Sequence, residues 1–395
     1  MKAIAEQIRR SGLEEILGKV HDGRRLGYND GMRLYTTPDL TAVGYLANLA
    51  RERRSGDHTY FVRNLHINYT NICNKLCKFC SFYAAPNSQD GRGYALSPEE
   101  AAARVAPYEY EKEPIREIHM VAGINPKLPY SYYLDLLQAV KAARPDAQIK
   151  AFTMIELAQI ARVARRPLAE ILPELQAVGL AACPGGGAEV FSERVHEELF
   201  RAKLDNDGWF EVARTVHRAG IRSNVTMLYG HIETVEEKVR HLLHVRELQD
   251  ETGGFMCFVP LAFDPSGTEL AHVPVTTGYA NLREIAVGRL LLDNVEHVKA
   301  FWIMITPAVA QMALWYGADD LDGTVSHYEI THALGTRSHR QVLTVEQLLD
   351  LSREVGRVPV ERDALYNVIE QPSALSVQRS APSFSADRST LVADR

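Results

Sequence analysis

At 395 residues the chain is long enough for roughly two or three domains, or for one barrel-type domain with additions. Its composition, 46% hydrophobic and 24% charged, is that of a globular protein able to bury a large core. The formal net charge of −6, from 44 Lys and Arg against 50 Asp and Glu, sets up no basic field, so neither nucleic acid nor an anionic membrane is expected as a partner.

At the N-terminus Ile4, Ile8, Leu13, Ile16, Leu17 and Val20 recur at helical spacing, interrupted by Glu6, Arg9, Arg10, Glu14 and Glu15. That pattern predicts a helical lead-in over residues 1–55, with turns at Asp22-Gly23 and Asn29-Asp30-Gly31, and it does not resemble an export signal. No apolar run approaches the ~20 residues that span a bilayer. Five cysteines in a chain of this length make no disulfide framework, and a reducing cytoplasm fits them.

From about residue 60 short β-rich runs alternate with longer helical ones, the mark of an α/β fold with parallel strands and crossover helices. The expected strands are 65–69, 117–121, 148–153, 180–183, 223–228, 255–260, 298–305 and 323–325. Eight strands would close a (β/α) barrel over residues 56–325, and fewer would leave a partial one. Ser97-Pro98-Glu99-Glu100 and Thr234-Val235-Glu236-Glu237 carry capping-box starts, and Leu134, Leu137, Val140 and Lys141 mark a helical stripe. Residues 326–370 are expected as a helical C-terminal extension. Residues 371–395, with six serines and two prolines, are expected as a disordered tail.

Cys73, Cys77 and Cys80 place three thiols within eight residues, in a loop leaving the first expected barrel strand. Such spacing suits an iron–sulfur cluster wrapped by one loop, and three ligands instead of four leave one iron open. The alternatives are three unconnected thiols or a structural zinc site. Zinc needs a fourth ligand, which Cys183, Cys257 or His66 could supply only if the fold brings one near.

The Cys-x3-Cys-x2-Cys stretch resembles the signature of the radical S-adenosylmethionine enzymes. That resemblance implies a full or partial (β/α) barrel of the radical SAM type, a [4Fe–4S] cluster on Cys73, Cys77 and Cys80, and S-adenosylmethionine (SAM) chelated to the open iron as co-substrate. It also implies that Phe79 lies near the adenine. Backbone beside Gly123, after the second strand, would bind the methionine amino group, although a simple strand-to-loop turn is an equal reading there. Pro184-Gly185-Gly186-Gly187-Ala188-Glu189 suggests close approach of backbone to a ligand. Glu189 could accept from ribose hydroxyls or complement a helix dipole. Thr226 and Tyr229 are polar side chains near the fifth strand end. His231 is a proton-exchange candidate, and Thr153 and Glu156 raise a similar choice.

Residues 184–189, 227–234, 246–255, 291–294 and 317–324 resemble the futalosine-pathway menaquinone enzymes and their deazaflavin-synthase relatives, a likeness running over about residues 45–367. Residues 260–263, 319–325 and 356–363 are most similar to the aminodeoxyfutalosine synthases, with departures at Ala122, Asn125 and 264–267. The resemblance implies addition of the 5′-deoxyadenosyl radical to the vinyl carbon of 3-[(1-carboxyvinyl)oxy]benzoate. The products would be 6-amino-6-deoxyfutalosine, methionine and bicarbonate. It also implies an electron donor such as flavodoxin or ferredoxin, and an Arg or Lys at the barrel mouth for the substrate carboxylates. The related futalosine cyclase, a deazaflavin-synthase subunit and a non-catalytic iron–sulfur scaffold are the competing expectations.

Overall fold

The computed structural model describes residues 2–106, 114–330 and 342–369. The amphipathic start folds into four helices, Lys2–Arg10, Glu14–His21, Tyr28–Thr36 and Leu40–Ser55, which bury Ile8, Ile16 and Leu34. Asn29-Asp30-Gly31, expected as a turn, lies inside the third helix. The Asp30 carboxylate accepts from the Gly27 amide at 2.8 Å and so starts that helix. A side chain at Gly31 would crowd Val239 and Leu291 at 3.0 Å, so this glycine serves packing and not a bend.

Ten strands follow in the described residues: β1 His58–Val62, β2 Asn64–Ile67, β3 Glu117–Met120, β4 Gln148–Ala151, β5 Leu180–Cys183, β6 Arg222–Tyr229, β7 Phe255–Ala262, β8 His297–Val298, β9 Asp320–Gly323 and β10 Val358–Glu361. Strands β2 to β8 form one parallel sheet in sequence order. Crossover helices separate most of them, and the expected capping boxes at Ser97 and Thr234 start the helices Pro98–Val105 and Val235–Thr252. In the helix Tyr130–Ala143 the buried face is Tyr133, Leu136, Leu137 and Val140, whereas Lys141 reaches the Pro145 and Ala147 carbonyls.

The sheet has seven strands, and a single chain segment spans its gap. The Ala300 amide donates to the Asp320 carbonyl and the His66 amide to the Ser326 carbonyl, both at 2.8 Å, so residues 320–326 touch β8 on one side and β2 on the other. Strand β9 itself pairs in parallel with β1, which pairs in parallel with β10. Three sequence expectations change here, the first being that β1 lies in none of the expected strands. The apolar run 298–305 is strand only at His297–Val298 and then turns into the short helix Trp302–Ile305, because a buried run has no periodicity to tell the two apart. The C-terminal extension carries the helix Val345–Arg353 and then a strand, β10, that was not expected. The expected tail, 371–395, lies outside the described residues.

Ion pairs plug the N-terminal end of the barrel. Lys150 Nζ lies 2.8 Å from Glu117 Oε2, and Arg362 Nε lies 2.7 Å from Asp320 Oδ2 with Nη1 3.4 Å from the same Glu117 oxygen. All four side chains are buried. Burial disfavours the Glu117 charge, but Lys150, His119 and Arg362 outweigh it and hold the carboxyl well below the usual range.

Three buried histidines give the fold a dependence on acid. Burial pushes His66 and His241 down to about 3 and His217 to about 4. An unfolded imidazole takes up a proton near 6.5, so below that pH the unfolded state binds protons the folded state refuses. Stability is therefore full above pH 6.5 and declines as pH falls toward 3 to 4. At pH 5 each of the three costs about 2 kcal/mol. Urea midpoints at pH 7.5 and pH 5 should show the fall, and His241→Phe should flatten it. An unchanged slope in that variant would remove His241 from the account.

Candidate active site

The cavity opens at the C-terminal ends of the strands, where parallel barrels place their chemistry, and holds about 250 Å3. Its roof is the loop that follows β2. The Cys73 amide donates to the Ala84 carbonyl, the Asn74 amide to Ile124 and the Lys78 amide to Leu199, each at 3.0 Å, so the loop is closed on itself and pinned by two other segments. Leu76 at its tip has φ +48°, a strained value for a non-glycine residue. Cys77 is buried, Cys73 and Cys80 are partly exposed, and Cys80 lines the cavity.

Gly123 is needed for this roof. Its amide donates to the Thr70 carbonyl at 2.8 Å, and a side chain there would sit 2.5 Å from the Ile72 carbonyl oxygen. It does not line the cavity; it lets the β3 end approach the cysteine loop. Beside it, Glu156 accepts from Tyr69 Oη at 2.6 Å and from the Ala122 and Thr153 amides at 3.2 and 2.8 Å. Burial pushes this carboxyl up to about 7 despite those donors. Glu156 ties two strand ends together and does not face the cavity.

The triple glycine has a steric reason at each position. Gly185 has φ +74°, and a Cβ would fall 1.7 Å from the Asn224 carbonyl oxygen; at Gly187 it would meet Ile155 at 2.5 Å, and at Gly186 it would meet Thr153 at 3.0 Å. Gly186 and Gly187 line the cavity with bare backbone. Glu189, φ +46°, also lines it and pairs with Lys203, whose Nζ sits 5.0 Å above the Phe79 ring. The next helix is capped by Ser192, so the Glu189 carboxylate does not serve a helix end. Thr226 lines the cavity, as does Asn224, whose buried Oδ1 has no hydrogen-bond partner and suits a ribose hydroxyl or an ammonium group.

Thr153 lines the cavity while capping the helix Met154–Ala164. Two other candidates are placed elsewhere. The Tyr229 hydroxyl lies 2.9 Å from Asn281 Oδ1, buried against the helix Gly278–Leu291. His231 Nε2 donates to the Leu228 carbonyl at 3.0 Å and Nδ1 accepts from the Ile232 amide at 2.8 Å, while burial lowers its pKa. Neither is among the side chains lining the cavity, because both are held by their own strand-end turns and packing. Sequence reasoning named His66 only as a possible zinc ligand and missed His119, Lys299 and Asp322 in the deeper lining. Polar residues at every second position of β2 and just past its end (Asn64, His66, then Asn68) were the available signal. Lys299, paired with Asp322, is the cationic side chain among the lining residues.

The thiols fit a cluster better than a lone ion. Among the described residues no three His, Cys, Asp or Glu side chains are placed to hold one metal ion. Cys183 and Cys257 are fully buried in the main core and His66 lies below the roof, so zinc gains no fourth ligand from them. A cluster takes one thiolate per iron from a loop of this kind. Burial pushes the Cys77 thiol up to about 12 and also raises Cys80, while nearby Lys203 favours both thiolates.

A parallel barrel with three thiols roofing a cavity defines an enzyme that works at a cysteine-bound centre on a small enclosed substrate. The chain belongs to the radical SAM superfamily, whose model matches residues 67–245, and its residues 252–375 match the CofH/MqnC C-terminal region. It is 45% identical to an aminodeoxyfutalosine synthase of Thermus thermophilus over 92% of this chain and 97% of that one. A Streptomyces coelicolor protein of the same name is 40% identical over 90% and 94%. A cyclic dehypoxanthine futalosine synthase of Halalkalibacterium halodurans is 32% identical over 90% and 95%. Among solved structures, a methylornithine synthase superposes with TM-score 0.70 at 17% identity over 87% of this chain and 96% of that one, which is a likeness of fold.

Proposed function

We propose that this chain is an aminodeoxyfutalosine synthase of menaquinone biosynthesis. It joins the 5′-deoxyadenosyl group of SAM to 3-[(1-carboxyvinyl)oxy]benzoate, giving 6-amino-6-deoxyfutalosine and methionine, with the enolpyruvyl carboxylate released and taken up by one water as bicarbonate. The observation that carries this is the likeness to two synthases, at 45% and 40%, against 32% to the cyclic synthase, over nearly the whole chain. Cys73, Cys77 and Cys80 are the residues that would hold the [4Fe–4S] cluster. When bound, that group supplies the electron that splits the sulfonium–C5′ bond.

The chain's own residues do the rest. Phe79 offers a face for the adenine, Glu189 and Asn224 offer acceptors to the ribose or ammonium group, and Gly186 and Gly187 let backbone come close. Val259, Leu261 and Phe263 wall the cavity with apolar surface, which keeps water and hydrogen donors from a carbon radical. Leu76, 49% exposed on the outer side of the cysteine loop between Lys75 and Lys78, offers an acidic donor protein such as a flavodoxin or ferredoxin a point of approach. A reducing cytoplasm suits five cysteines that are all free.

The test is one anaerobic assay with dithionite, SAM and the enolpyruvyl benzoate, read by mass spectrometry. The synthase gives a product carrying adenosine covalently. Free 5′-deoxyadenosine as the main product would point to the cyclase or to another hydrogen-abstracting relative, and would overturn the proposal.

A further inference from the structure

Below the ring of Phe79 and above the Glu117–Lys150–Arg362 plug, the cavity ends against a histidine with nothing to bind. His66 is 2% exposed and lines the cavity, yet neither of its ring nitrogens has a hydrogen-bond partner. Leaving buried polar groups unpaired costs about 1–3 kcal/mol each, so a partner brought by a ligand is the economical reason for it. The ring cannot turn away to find one. His119 stacks on it with centroids 4.5 Å apart, and the edge of Tyr328 meets it at 5.4 Å. His119 is in turn held by Glu117 Oε1, 3.1 Å from Nδ1.

The walls here are aromatic and apolar. Phe301 stands edge-on to Tyr328 at 5.7 Å, and Met304 and Ile330 complete the pocket end. Its charges cancel: Lys150, Lys299 and Arg362 are paired with Glu117, Asp320 and Asp322. An incoming anion therefore meets no net repulsion, and the donors nearest to hand are the His66 N–H and Lys299. An aromatic wall with a buried, unspent donor at its end is the chemistry of an aryl carboxylate site.

We propose that His66 receives the aryl carboxylate of the acceptor substrate at the closed end of the barrel, with the substrate ring between Tyr328, Phe301 and the apolar wall. This rests on the synthase function proposed above. There the alkene must face C5′ under the cysteine roof, and the meta carboxylate of the same ring then points away from it, down the barrel.

The experiment uses cluster-loaded, SAM-bound protein and two probes that differ only in the acid, 3-methoxybenzoate and 3-methoxybenzyl alcohol, with binding followed by calorimetry. Wild type should bind the acid more tightly than the alcohol. His66→Phe should weaken the acid by about tenfold or more and leave the alcohol unchanged, and His66→Gln, which keeps a donor, should recover part of the loss. In turnover the KM for the enolpyruvyl benzoate should rise while SAM affinity and cluster content hold. Equal binding of acid and alcohol by wild type overturns the proposal without recourse to any variant, as does equal acid binding by wild type and His66→Phe. If wild type binds the acid through His66 but forms no adenosine adduct, the synthase function fails while the carboxylate site stands.

Discussion

Cys77→Ala protein, reconstituted without oxygen, is expected to hold no iron–sulfur cluster and to cleave no SAM, while its barrel stays folded. The two halves of that result have separate causes. Cys77 packs with Val190, Val195, Leu199 and Phe200 in a small satellite core, so removing its sulfur leaves a modest void costing about 1 kcal/mol. The roof loop is pinned by backbone bonds from Cys73, Asn74 and Lys78, none of which needs the Cys77 side chain. Only the third thiolate is lost, and two cannot anchor a cluster with one open iron. Iron per chain, the visible charge-transfer absorbance and a thermal midpoint measure the three statements. Full cleavage activity in this variant would show that the ligands lie elsewhere.

Arg362→Leu is expected to destabilise the chain by about 3–5 kcal/mol, far more than its distance from the cavity roof suggests. The guanidinium is fully buried, with Nε on Asp320, Nη1 beside Glu117 and its plane 4.1 Å over the Tyr366 ring. Leucine fills part of the volume but strands two carboxylates, leaving Lys150 and Lys299 to compensate. Arg362→Lys keeps the charge, loses the fork and should recover part of the loss. Denaturant midpoints measure both; a Leu variant within about 0.5 kcal/mol of wild type would mean the plug is not a unit.

Much of this site could be read from the chain in order, because its strongest signals are local. Three cysteines on one loop, a triple glycine after a strand and two capping boxes each depend only on near neighbours, and the fold uses all of them. What escaped was set by distance. His66 and His119 meet across neighbouring strands, Lys299 meets Asp322 on the segment that fills the barrel gap, and Lys203 reaches Phe79 from another loop. No spacing within a segment announces such pairs. Tyr229 and His231 differ in the opposite way: polar residues at a strand end look available, but local backbone takes up the His231 ring nitrogens and the Tyr229 hydroxyl reaches Asn281 on a neighbouring helix. The run 298–305 shows the same limit for secondary structure, since a wholly buried segment gives no period from which to tell strand from helix.

Strand β1 is made directly after the N-terminal helices, yet both of its neighbours, β9 and β10, come from late in the chain. On the ribosome it must therefore wait with two bare edges while the cysteine loop and most of the cavity wall are already synthesised. A stop codon before Val358 would spare all three thiols and the described side chains around the cavity. It would still delete the strand that zips β1 shut and the Arg362 cork beyond it, letting solvent in at the barrel's base. A nonsense allele that late should behave as a folding defect, cleared by proteolysis, rather than as a trimmed but working enzyme.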